Sequence, residues 1–91
     1  MKIVKISAIW CPACIITNKY YKDVKKNFPN IEFIDYDLDF NEEEAKPYNV
    51  GNILPVIIFL DDDDKEIKRI IGEKKQEELE KEIRDVFNEE K

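Results

Sequence analysis

The chain has two cysteines, Cys11 and Cys14, with Pro12 and Ala13 between them and Trp10 in front. Two thiols at this spacing can carry out dithiol–disulfide exchange, supply half of a metal site, or sit as inert buried groups. A structural bridge between them is a poor explanation, because so short a loop restricts the unfolded chain very little. A zinc site needs more ligands, and the sequence has no third Cys and no His. A metal would therefore need carboxylates or a second chain, bridging a dimer through Cys11 and Cys14. The redox reading requires one activated sulfur with the other within its reach, and that depends on the elements around them.

Residues 3–9 are apolar and β-branched, with Lys5 and Ser7 as polar insertions, and read as a buried strand. Pro12 suits the first turn of a following helix, where its missing N–H costs nothing. Ile16, Tyr20, Val24 and Phe28 recur every four residues as its expected apolar face, and Pro29 and Asn30 stop it. IEFIDYDL reads as a second strand. Asn41 with Glu44 resembles a capping box opening a short helix, which Pro47 and Asn49 should end. PVIIFL is a continuous apolar strand with Pro55 at its tolerated first position. DDDDK reads as a turn, and EIKRII as a strand with one wet face, closed by Gly72. Leu79, Ile83, Val86 and Phe87 then stripe a charged helix.

The order is β-α-β-α-β-β-α in one α/β domain over residues 1–91. The expected architecture is a four-stranded mixed sheet with helices on both faces. The first two strands are parallel through a right-handed crossover, and the last two form an antiparallel hairpin. On this map Cys11 caps a helix, where unpaired N–H groups and the positive end of the helix dipole favour a thiolate. Cys14 lies nearly one turn further on, able to resolve a mixed disulfide formed at Cys11.

The net charge of −6 argues against nucleic acid as a partner and is explained by a solvated surface. No apolar run reaches membrane-spanning length, and the N-terminus reads as a strand, not a signal peptide. The expectation is a cytoplasmic monomer that needs no membrane. The acidic run at residues 61–64 lacks the ligand spacing and glycine of a calcium loop.

Taken together, WCPAC, the Leu54–Pro55 pair in ILPVIIF, YNV, and the Gly72 that opens GEKKQEEL resemble the thioredoxin-like superfamily, thioredoxin most of all, over nearly the whole chain. The resemblance implies a thioredoxin-like fold and a protein-disulfide reductase in cell redox homeostasis. It would act on disulfide-containing proteins, be recharged by a thioredoxin reductase-like donor, and have no cofactor beyond its Cys11–Cys14 couple. It implies Cys11 as the attacking nucleophile, Cys14 as the buried resolver and Pro55 as a cis-proline beside the sulfurs. Leu54 would offer its backbone to an extended substrate, flanked by Trp10 and Gly72, with Pro12 and Ala13 completing the surface and tuning the couple.

Departures from the pattern point elsewhere. Proline in the first slot of the dipeptide and the absence of an extra N-terminal strand and helix are similar to glutaredoxins, with glutathione as the alternative donor. Against that, no Gly-Gly-Asp-like segment follows the fourth strand, and Leu, not Val, precedes Pro55. Lys19 stands where a proline often kinks the active-site helix. Lys5 stands where thioredoxins carry a buried Asp, and Asp35 falls about where they carry its lysine, which suggests a swapped pair that tunes the thiols; the alternative is a Lys5 that carries its ammonium past the sheet edge to solvent. A non-catalytic thioredoxin-fold binding module is the alternative of another class.

Overall fold

The computed structural model describes residues 1–87, so the last four residues of the 1–91 domain lie outside the described residues. Four strands, β1 (Lys2–Ser7), β2 (Glu32–Asp37), β3 (Val56–Leu60) and β4 (Glu66–Ile71), form one sheet in the order β2-β1-β3-β4. β1 runs parallel to β2 and antiparallel to β3, and β3 is antiparallel to β4. Helices α1 (Pro12–Asn27) and α3 (Gln76–Phe87) cover one face. The short α2 (Glu42–Ala45), continued by a 3₁₀ turn at Lys46–Tyr48, lies on the other.

The alternation of side chains along the central strands builds two cores. Ile3, Ile57 and Phe59 pack with Tyr21, Val24 and Phe28 at the α1 end and Leu79, Ile83 and Phe87 of α3. Val4, Ile6, Val56, Ile58 and Leu60 face the other way, with Ala45, Leu54 and both cysteines. β3 is buried along its whole length because it has strand neighbours on both edges and side chains packed on both faces.

Several expectations are corrected. β1 ends at Ser7, leaving Ile9 exposed in the turn before the cysteines. The buried stripe of α1 is Cys14, Thr17, Tyr21 and Val24, and Ile16 is exposed. Steps of four overshoot a 3.6-residue turn, so a constant i+4 series drifts off the face that alternating steps of three and four keep. Asn41 does precede α2, but its side chain makes no cap bond. Its Oδ1 accepts the Asp37 N–H at 3.1 Å instead, closing the loop after β2. On β4 only Ile70 is buried, while Ile67 and Ile71 are exposed. Ile71 pairs with Val56 in register and so points to the face carrying only α2, which packs near β2, at the far edge of the sheet.

The acidic hairpin is a solvated turn. The Asp61 carboxylate accepts the N–H groups of Asp63 and Lys65, both at 2.9 Å, and Lys2 pairs with Asp64 at 2.7 Å. Replacing Ile83, fully buried under the sheet, by Ala should cost about 3 kcal/mol in urea unfolding. Ile16→Ala, on the solvent side of α1, should stay within about 0.5 kcal/mol. Comparable losses would return Ile16 to the core face.

Candidate active site

β1 delivers the chain to the end of the sheet, a turn over residues 8–10 reverses it, and Cys11 stands at the N-cap of α1 in an extended conformation. Pro12 occupies the first helical turn, as expected. The Cys11 Sγ accepts the Cys14 backbone N–H at 3.2 Å, so this sulfur itself serves as the helix cap. Both thiols are free, and Cys14 has no exposed surface.

The second wall of the site comes from the loop before β3. The Leu54–Pro55 peptide is cis. The Cys11 thiol donates to the Leu54 carbonyl oxygen at 3.6 Å, bringing residues 43 positions apart into contact. Gly72, with φ +93, donates its N–H to the Pro55 carbonyl at 2.9 Å and so ties the end of β4 to this loop. A Cβ at Gly72 would meet only Ile53 Cγ2 at 3.6 Å. Glycine is therefore needed for its backbone conformation, not for space. Trp10 is 62 % exposed beside the cysteines, so it is not a core aromatic. Pro12 is exposed and Ala13 half-buried on the same turn.

Ile53 and Ile71, both exposed, were not singled out by sequence reasoning. They border a hollow of about 310 Å³ on the far side of the cis-proline loop, shared with Asn49 and Val56. The available signal was position, since each lies within two residues of Pro55 or Gly72.

Burial pushes the Cys14 thiol up to about 12, and its contact with Cys11 adds to that; the Ala8 backbone and the Lys5 ammonium pull the other way. Lys5 is buried on the α1 side of the sheet, in register with Asp35 on β2. The expected Lys5–Asp35 pair exists only loosely, with Nζ 4.0 Å from Oδ1. Asp35 makes its close contact with Lys25 at 2.8 Å, and the Lys5 ammonium donates to Asn18 Oδ1. It also lies 4.2 Å from the Tyr21 ring centroid, a cation–π contact. Asn18 and Tyr21 were missed, although Asn18 follows Cys14 by one helical turn. Among the described residues no cluster of His, Cys, Asp or Glu could hold a metal ion.

A dithiol at a helix N-cap, facing a cis-proline loop at the end of a four-stranded mixed sheet, defines the thioredoxin-like fold class. Residues 1–85 match the family model described as Thioredoxin, and the chain belongs to that family. It is 35% identical over 81 residues to Thioredoxin H2 of Arabidopsis thaliana, covering 89% of this chain and 59% of that protein. It is 30% identical to a Thioredoxin H-type of Fagopyrum esculentum, covering 87% and 66%. The chain thus spans less than two thirds of the length of these plant relatives. The structure of Fasciola hepatica thioredoxin superposes with a TM-score of 0.78 at 30% identity, over 99% of this chain and 80% of that one. Thioredoxin from Nicotiana alata gives 0.83 at 26% identity, over 93% and 71%.

The Cys14 shift has a signed consequence for alkaline stability. A thiol held at about 12, above its ordinary 9.0, keeps its proton more tightly in the native than in the unfolded chain. That contribution is fully present below pH 9 and is lost as pH rises toward 12. Lys5, lowered from 10.5 by burial, acts in the opposite direction. The urea midpoint of the reduced protein should therefore fall above pH 9 more steeply than that of Cys14→Ser. Equal slopes would contradict the assignment.

Proposed function

We propose that the chain is a protein-disulfide reductase working by dithiol–disulfide exchange. The observation that carries this reading is the placement of the Cys11 sulfur, bonded to the N-terminus of α1 and to the Leu54 carbonyl beside cis-Pro55. Cys11 as thiolate attacks one sulfur of a substrate disulfide. A Cys11–substrate S–S bond forms, and the other substrate sulfur leaves as a thiolate that takes up a proton. Cys14 loses its proton to solvent and attacks Cys11 Sγ, the mixed disulfide breaks, and the second substrate sulfur departs. The substrate gains two electrons, and the protein is left with a Cys11–Cys14 disulfide. Holding both thiols on one helical turn makes the second attack intramolecular and fast.

Trp10, Pro12, Ala13 and Gly72 supply the surface around the sulfurs, over the buried side chains of Leu54 and Pro55. An extended substrate segment lies along this loop and pairs with the Leu54 backbone as a short added strand. The redox-active cysteines are the only cofactor the reaction needs. A thioredoxin reductase-like protein returns the electrons, disulfide-containing proteins are the substrates, and the working form is a cytoplasmic monomer.

Insulin reduction with NADPH and thioredoxin reductase should be rapid, and glutathione with its reductase should not replace that donor. The reverse pattern would make the protein a glutathione-coupled enzyme. Cys11→Ser should lose about a thousandfold or more in rate. Cys14→Ser should accumulate mixed disulfides through Cys11. Mixed disulfides forming through Cys14 in the Cys11→Ser protein would reverse the two roles.

A further inference from the structure

The reaction proposed above leaves one buried charge without a task. Lys5 is the only charged residue buried among the described residues, with 5 % of its surface exposed. It sits on a central strand of the sheet and reaches under α1, the helix that carries Cys14. Cys14, Asn18, Tyr21 and Lys25 follow one another along α1 at steps of four, three and four, so they share one side of the helix. The Lys5 ammonium binds Asn18, one turn below Cys14, and faces the Tyr21 ring. Each of these contacts favours a charged ammonium, as does the Asp35 carboxylate at 4.0 Å.

We propose that Lys5 is a positioning residue for the resolving step, its fixed positive charge stabilising the Cys14 thiolate as the proton leaves. This rests on the reductase reading. Lys5 keeps its proton throughout and exchanges nothing, and the Cys14 proton goes to solvent. The need for such a charge follows from the site. Burial holds Cys14 in the thiol form at neutral pH, yet resolution requires the thiolate. A cation bonded to Asn18, one helical turn along α1 from Cys14, favours that thiolate, and an effect of about tenfold in population is what the test below reads.

Other groups set the size of this field. From α1, Tyr21, Lys22 and Lys25 face the same cleft of about 340 Å³ as Lys5. From β2, Asp35, Tyr36 and Asp37 face it. Asp35 is the nearest acidic group to the ammonium and is half-exposed. It partly cancels the charge that Cys14 feels, so removing it acts on Cys14 in the opposite sense to removing Lys5.

The test uses the reduced full chain mixed rapidly with the symmetrical disulfide of thionitrobenzoate. The first chromophore is released when Cys11 attacks and the second when Cys14 resolves. Lys5→Met should slow the second release about tenfold at neutral pH and leave the first within about twofold. Its second-phase rate should still rise with pH, displaced by about one unit, which a merely structural role would not produce. Lys5→Arg should recover most of the rate. Asp35→Asn should speed the second phase. A second phase unchanged in Lys5→Met, or slowed in Asp35→Asn, overturns the inference. If Lys5→Met does not fold, the Arg and Asn variants decide. A wild-type protein that shows both phases but does not reduce insulin overturns the reductase reading alone, and the same variants still test Lys5.

Discussion

The hydrogen bond from the Cys14 amide to the Cys11 sulfur joins the fold to the chemistry. It requires a helix to begin where β1 has just ended, at the end of a sheet in which β1 is one of the two central strands. That in turn requires β1 to be held on both sides, by parallel β2 and antiparallel β3. The second partner of the Cys11 sulfur, the Leu54 carbonyl, comes from the segment leading into β3. One sulfur is therefore positioned by two of the three strand pairings of the sheet, and α1, α3 and α2 cover its faces.

Two opposing terms meet at Cys14. Burial in an apolar cluster stabilises the packed thiol and resists its ionisation. A buried ammonium on the neighbouring strand acts against that resistance. Lys5 is itself costly to bury, and the cost is met by Asn18, the Tyr21 ring face and a distant carboxylate, not by a close ion pair. A tight Lys5–Asp35 bridge would spend the charge on Asp35. The observed arrangement leaves Asp35 mainly to Lys25, at 2.8 Å, and the Lys5 ammonium to Asn18 and the Tyr21 ring on α1.

How much of this could be read from the residues differs by element. The α1 N-cap, the turn proline and β3 follow from local signals, because Pro12 and an unbroken apolar run constrain the backbone wherever they occur. Gly72 closes β4 as read from the sequence, and its positive φ is the reason a glycine stands there. The register of Lys5 with Asp35 was also legible, since β1 and β2 are parallel and equally long. Their ammonium–carboxylate distance was not, because it depends on Asn18, Tyr21 and Lys25, which come from a helix packed across the strands. Of the i+4 series on α1, Val24 and Phe28 are buried and Tyr20 packs against the core, but Ile16, at the far end of a series that a 3.6-residue turn does not sustain, is exposed. The exposure of Ile71 was hidden for a related reason: strand alternation says which residues share a face, not whether anything covers it.

The contact between the Cys11 thiol and the Leu54 carbonyl carries one more implication. A thiol has a proton to donate, and a sulfur engaged in a disulfide has none. Each time Cys11 becomes bonded to another sulfur, the carbonyl loses its internal donor and one lone pair turns outward for a passing amide. The protonated thiol thus occupies the Leu54 carbonyl, and loss of that proton, whether by ionisation or by disulfide formation, frees it.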